Sequence, residues 1–382
     1  MSTNIYLDNA ATTTARPEVI EAMVPLLAGG YNPSSTHAHG REARGVLDEA
    51  RAEVARVLGA APREIVFTGG GSESDVLAIV GAAKARAADG KHVITTVFEH
   101  HAVLHAVDVL EAEGWSVTRL PVSANGMVDP ASVAAALRPE TTLVSIMLGN
   151  NEIGTIQPLA EIAALAHANG ALVHTDAVAT AAYLELDLGQ LDVDLLTLSA
   201  HKFNGPKGVG VLFVRRGTPL VAQIVGGGQE HGLRSGTENL AGVAGLARAL
   251  VLADAERTAT VARVTALRER LAAGIAAGVA GTIELGAAAP RLPHILSIGF
   301  PDQPSDALLM ALDLEGVSAS AGSACAAGSL EPSHVVAALG VSPEYATGVL
   351  RFSLGRTTTA ADVDGAARVV GQVIGRMQTA DV

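Results

Sequence analysis

Between Ile65 and Val214 short apolar runs alternate with stretches of helical period, and this alternation restricts the fold more than any other feature of the chain. The runs read IVFT, HVITT, SVTRL, TLVSIM, ALVHT, LLTLS and VGVLFV, and helical sequence begins near Ser72, His100 and Leu159. Most of the runs are apolar at consecutive positions, so both faces of each strand need cover. Strands of that kind, separated by helices, pair mainly in parallel under helices on both sides of the sheet. Open sheets of this class place ligands beyond the carboxyl ends of their strands, so the residues just after each run carry the chemistry.

The flanks have a different pattern. Residues 1–16 are rich in Thr and Asn and read as extended, and Pro17 suits a first helical position. Ile20, Met23, Val24 and Leu27 recur at helical spacing before Gly29 and Gly30 stop that helix. After the loop YNPSSTHAHG a second helix is expected from about Arg41 to Leu58, closed by Gly59. Past Gly226 the alternation gives way to Ala-rich helical sequence from about Asn239 to Ala277. Short strands and helices follow it to Met377. The expected organisation is a large domain over 17–255 and a smaller α+β domain formed by 1–16 with 256–382.

The chain has 382 residues, 49% of them hydrophobic and 17% charged, which excludes a disordered chain and allows a large core. A formal charge of −13 argues against a nucleic-acid backbone as the partner. No apolar run approaches the roughly 18 residues of a spanning helix, and MSTNIYLDNA lacks the layout of a secretory leader, so a cytoplasmic, membrane-free protein is expected. The lone cysteine, Cys325, excludes an intramolecular disulfide and a cysteine metal cluster.

Several strand ends carry reactive residue types. LLTLSAHKFNGPKGVG delivers Ser199, His201 and Lys202 into a turn rich in Gly and Pro. Desolvation beside a second cation, such as a charged His201, would favour a neutral, nucleophilic Lys202. Gly69, Gly70, Gly71 and Ser72 separate IVFT from a helix, a layout suited to a phosphate, or to an ordinary cap in which Ser72 is followed by Asp75 three residues on. Asp176 follows ALVHT, where a carboxylate can pair with a protonated ring nitrogen or simply close a turn. Arg351 interrupts the apolar run VLRFSL and needs an anion, either a substrate carboxylate or one of the chain's own acids. Cys325 lies in SASAGSACAAGS, too small-chained for a packing stripe, which favours an accessible, reactive thiol. His100, His101 and His174 show no ligand spacing to nearby acids, so no metal is expected.

These motifs, in this order, resemble the cysteine desulfurases of the NifS/IscS type, in the class V aminotransferase group of fold-type I pyridoxal 5'-phosphate (PLP) enzymes. The resemblance runs through YLDNAATT, NPSSTH, EIVFTGGGSESD, EHHAVL, NNEIGTIQP, HTDAV, SAHKFNGPKGVG, GGGQEHGLRSGTEN, SAGSAC, LEPSHV and RFSLGR. It implies an α/β fold like that of aspartate aminotransferase, with a mainly parallel seven-stranded sheet and a smaller α+β domain. It implies that Lys202 forms the internal Schiff base with PLP, His100 stacks on the ring, and Asp176 pairs with the ring nitrogen beside Asn151. Gly71, Ser72, Ser199 and His201 would hold the phosphate, with Thr237 from the second subunit of a homodimer. Arg351 would bind the carboxylate of L-cysteine near Asn151, and Cys325 would take the sulfur as a persulfide for an acceptor, an iron-sulfur scaffold or a tRNA-thiolation enzyme. Ala179 stands where the family usually has a Gln that contacts the cofactor's phenolic oxygen. A class V aminotransferase, a selenocysteine lyase-like enzyme and a non-catalytic scaffold are the alternative readings.

Overall fold

The computed structural model describes residues 4–322 and 332–380. Its strands, in chain order, are β1 (Ile5–Tyr6), β2 (Ile65–Thr68), β3 (His92–Thr96), β4 (Ser116–Leu120), β5 (Thr141–Ser145), β6 (Leu172–Asp176), β7 (Leu195–Ser199) and β8 (Gly210–Val214). Further on come β9 (Ile283–Glu284), β10 (Ile295–Gly299), β11 (Val317–Ser318) and β12 (Val349–Ser353). The seven from β2 to β8 form one sheet in the order β2-β8-β7-β6-β5-β3-β4. Every pair from β7 across to β4 is parallel, while β8 runs antiparallel to both β7 and β2. All five residues of β3, β5, β7 and β8 are buried, whereas the edge strand β4 has a largely half-exposed face. Arg119 on that edge pairs with Asp108 and Glu111 outside the sheet, a charged border that discourages further strand pairing.

The chain leaves β3 for β4 at the edge and then returns to place β5 on the other side of β3. This reversal puts the loops after β3 and β5 on opposite sides of a crevice, next to those after β6 and β7. Four strand ends therefore face one place.

The helix Leu240–Gly278 links two apolar cores. Its Leu246 and Leu250 belong to the core under the large sheet. Val264, Leu271 and Ile275 join Ile5, Leu7 and the antiparallel strands β10 and β12 in the other. The first extended residues are thus built into the smaller core, where β1 pairs in parallel with β11.

The helix Ala38–Leu58 starts three residues before Arg41, because Nδ1 of His37 accepts the Gly40 N–H and caps it there. Gly59 closes it at φ 67°, a conformation that glycine adopts without strain. In the helix Pro17–Gly29 most of the stripe that marks its period faces outward: Ile20, Val24 and Leu27 are exposed, while Met23 packs half-buried against the large core and Val19 is buried.

Candidate active site

Ser199, the last residue of β7, is followed by a single 3-10 turn, Ala200–Lys202. The segment after β1 clamps this turn. Thr13 donates both its N–H and its hydroxyl to the His201 carbonyl at 2.8 Å, and the Asn204 N–H donates to the Thr13 hydroxyl oxygen at 2.8 Å. Lys202 is held in the same way, its Nζ donating to the carbonyls of Ala10 (2.5 Å) and Ala11 (3.0 Å). Lys207, in the same loop, is exposed.

β6 ends on Asp176, which is 6% exposed and accepts the Val178 N–H at 2.8 Å. At the end of β2, Gly70 takes φ 152° and ψ −177°, a region closed to residues with a Cβ, and the helix Gly71–Ala85 begins at once. Gly70 is the N-cap and no side chain caps the helix, so Ser72 does not act as the cap. The N–H groups of that first turn lack helical acceptors, as an anion site requires. A Cβ on Gly71 would meet the Val178 side chain at 3.0 Å and Ser199 at 3.4 Å, so a larger residue would fill the cradle.

After β3 the chain reaches His100, the N-cap of the helix His101–Ala112, whose Nδ1 accepts the Ala102 N–H at 3.1 Å. From β12 comes Arg351, 1% exposed, donating to the Asn151 carbonyl at 3.0 Å and to Asp8 at 2.8 Å. The anion that the sequence demanded for Arg351 is, in this structure, the chain's own Asp8.

One cavity of about 250 Å³ collects these groups: Gly71, Ser72, His100, Asn151, Asp176, Ser199, His201, Lys202 and Arg351 all line it, with Ala179 beside them. Thr237 is exposed and does not line it. Cys325 lies outside the described residues.

Burial dominates the electrostatics. Desolvation raises Asp176, against His100, the Val178 N–H and Lys202, which favour its charged form. It lowers His100, with Lys202 and His334 adding to the effect. His201 is pushed down to about 4, first by burial and then by Lys202 and Lys207. His201 is therefore neutral near pH 7, which corrects the expectation that its charge helps Lys202 lose a proton.

Four residues have places that the sequence does not assign them: Asp8 and Glu99 have no reading there, Asp75 reads with a helix cap and His174 as a metal candidate. Asp8 is the partner of Arg351, and Asp75 and Glu99 are acids that are each 1% exposed beside the cavity. His174 is buried against Ser145 and Thr197. The available signal was an acid placed just before the apolar run VLAIVGAA in the first case of the buried pair, and one inside VFEHH in the second. His101 and His105, four residues apart on one helix, also cluster with His334, with ring centroids 5.5 and 4.6 Å from that of His101.

Residues 5–365 match the family described as Aminotransferase class-V. The chain is 45% identical over 380 residues to the cysteine desulfurase IscS of Dictyoglomus turgidum, an alignment covering 99% of this chain and 96% of that protein. The chain belongs to the cysteine desulfurases of the class V aminotransferase family. Among solved structures it is similar to one described as a NifS-like protein, with a TM-score of 0.92 and 35% identity over 98% of this chain and 100% of the other. Another, described as "SspA in complex with cysteine", superimposes with a TM-score of 0.81 and 35% identity over 92% of this chain and 98% of that one. The seven-stranded, mainly parallel sheet agrees with the fold that the sequence implied. Among the described residues no helix is long and apolar enough to cross a membrane.

Proposed function

We propose that this member of the cysteine desulfurases uses PLP to convert L-cysteine to L-alanine, leaving the sulfur on Cys325 as a persulfide. The observation that carries the reading is the convergence in one cavity of a lysine, a buried acid, a glycine-cradled helix N-terminus and an arginine, each from a different element.

The residues present fit the cofactor. The N–H groups at Gly71 and Ser72, with the hydroxyls of Ser72 and Ser199, form a donor set for a phosphate, and the space over Gly71 is kept open by the missing Cβ. Asp176, buried and pushed up by desolvation, gains a counter-charge when a ring N–H faces it. His100, capping its helix, offers a flat ring to stack on. When bound, PLP supplies an electron sink at the substrate's α-carbon.

The protein's own groups do the rest. Lys202 anchors the cofactor through Nζ and, once freed, carries the α-proton at that atom. Arg351 binds the substrate carboxylate, exchanging its contact with Asp8 for one with the ligand. Cys325 acts as the thiolate that attacks the substrate sulfur. In the net change an S–S bond forms as the C–S bond breaks, the electron pair stays with the substrate carbon, and that carbon takes a proton to become the methyl of alanine. The persulfide then passes to a sulfur-acceptor protein. The exposed stripe of Ile20, Val24 and Leu27 is suited to a second copy of the chain, from which the partner subunit's Thr237 would complete the phosphate end.

Cys325→Ala tests the reading. The variant should retain the absorbance of the bound cofactor and form no alanine or sulfide from cysteine. Turnover equal to that of the wild type would remove the thiol from the reaction.

A further inference from the structure

Asp75, on the helix Gly71–Ala85, lines the same cavity as Asp176 and has no part in the reaction above. It is 1% exposed, and its Oδ1 has no hydrogen-bond partner among the described residues. One carboxylate oxygen of Asp75, one of Asp176 and a ring nitrogen of His100 all lie within 4.8 Å of one another. Two buried acids so close, without solvent, do not both ionise.

The neighbours decide which of the two keeps the charge. Asp176 has the Val178 N–H, and both His100 and Lys202 favour its charged form. Asp75 faces the Thr197 hydroxyl on β7, the acids Asp176 and Glu99, and His174, whose Nε2 is 3.6 Å from Oδ1. His174 contributes no charge there: its ring lies 2.8 Å from the Ser145 hydroxyl and 3.1 Å from that of Thr197, and burial pushes it down to about 3. Glu99 adds no cation either, being itself pushed up to about 8 by burial.

We infer that Asp75 is a positioning residue for Asp176: a neutral carboxylic acid that carries the single proton of the buried pair and leaves Asp176 as the member charged toward the cofactor ring. The direction of its titration agrees, since burial and the charge on Asp176 outweigh the Thr197 hydroxyl, which favours the charged form, and push Asp75 well above the usual carboxylate range. The inference rests on the reading of Asp176 as the partner of the ring nitrogen.

Two variants of similar shape test it. Asp75→Asn is neutral and polar, and Asp75→Leu is neutral and apolar. Asn should bind PLP within about threefold of the wild type and keep the pH midpoint of the bound cofactor's absorbance, because it reproduces a neutral polar neighbour. Leu should weaken PLP by about tenfold or more and move that midpoint by about one pH unit, because Asp176 in drier surroundings takes up the proton itself. A third reading uses the protein without cofactor. From about pH 4, where an unfolded Asp is already ionised, the melting temperature of the wild type should fall with rising pH more than that of the Asn variant, until the folded Asp75 also releases its proton. An Asn variant that behaves like Leu would overturn the inference, and so would a Leu variant that behaves like the wild type. If the wild type itself takes up no PLP, the reading of Asp176 fails instead, and the melting comparison still decides whether Asp75 carries a proton.

Discussion

In the proposed reading, the working groups at the phosphate end of the cavity are backbone N–H donors and hydroxyls, arranged by the turn at Gly70 and the end of β7. At the ring end they are titratable side chains, the buried Asp176 and Asp75 and the half-buried His100, held at a strand end and near the starts of helices. Donors of the first kind do not titrate near neutrality, so they bind a dianion with little dependence on pH. Groups of the second kind have pKa values shifted by burial, and the pH dependence of the enzyme originates there. One end gives affinity and the other tunes the chemistry.

The largest expected effect separates these roles at Lys202. Lys202→Ala should lose turnover by about a thousandfold or more while still binding PLP reversibly through the phosphate end. Alanine production near the wild-type rate would break the comparison. A pair of variants sharpens it further. Asp176→Asn should lower kcat by about a hundredfold with modest change in PLP affinity, because the ring loses its counter-charge. Ser199→Ala should weaken PLP by about tenfold and leave kcat at saturating cofactor near its original value. Swapped phenotypes would show that the ends are misassigned.

The pH dependence of stability gives a smaller effect with a defined sign. His174 and His201 are held down to about 3 and about 4 in the folded protein, so on acidification the unfolded chain takes up protons at these sites first. Their contribution is complete above about pH 6.5 and is lost progressively as pH falls toward the folded values. His201→Gln should therefore flatten the decline in melting temperature between about pH 7 and pH 5, and an unchanged slope would show that His201 is already charged. The smallest effect concerns Asp8, which is one-fifth exposed and occupies the Arg351 fork. Asp8→Asn should lower the KM for cysteine by about threefold with little change in kcat, since a partly exposed ion pair competes only weakly. A raised KM would make Asp8 a support for Arg351 instead of a competitor.

Much of this was legible in the chain. The short runs marked every strand of the large sheet, the inner ones because strands buried on both faces leave consecutive apolar residues and the edge strand β4 only by its place in the alternation. The Lys202, Asp176 and Gly71 positions followed because open sheets use their carboxyl ends. What stayed hidden depends on distant packing. Asp75 read as the fourth member of a cap, yet the glycine conformation at Gly70 starts the helix without one and turns Asp75 into the protein interior. The charge state of His201 follows from burial that its own segment does not reveal: its ring nitrogen lies 3.1 Å from the hydroxyl of Thr12, 189 residues earlier in the chain. The stripe on Pro17–Gly29 gave the helix its period correctly but not its direction, because spacing alone does not say which apolar face is turned to the core.

The most direct test of the central claim is to supply L-cysteine and a thiol reductant to the purified protein loaded with PLP and to measure alanine and sulfide together. Equal amounts of the two, both lost in Cys325→Ala, are the expected result. Amino-group transfer to a keto acid without sulfide, unaffected by that substitution, would contradict it.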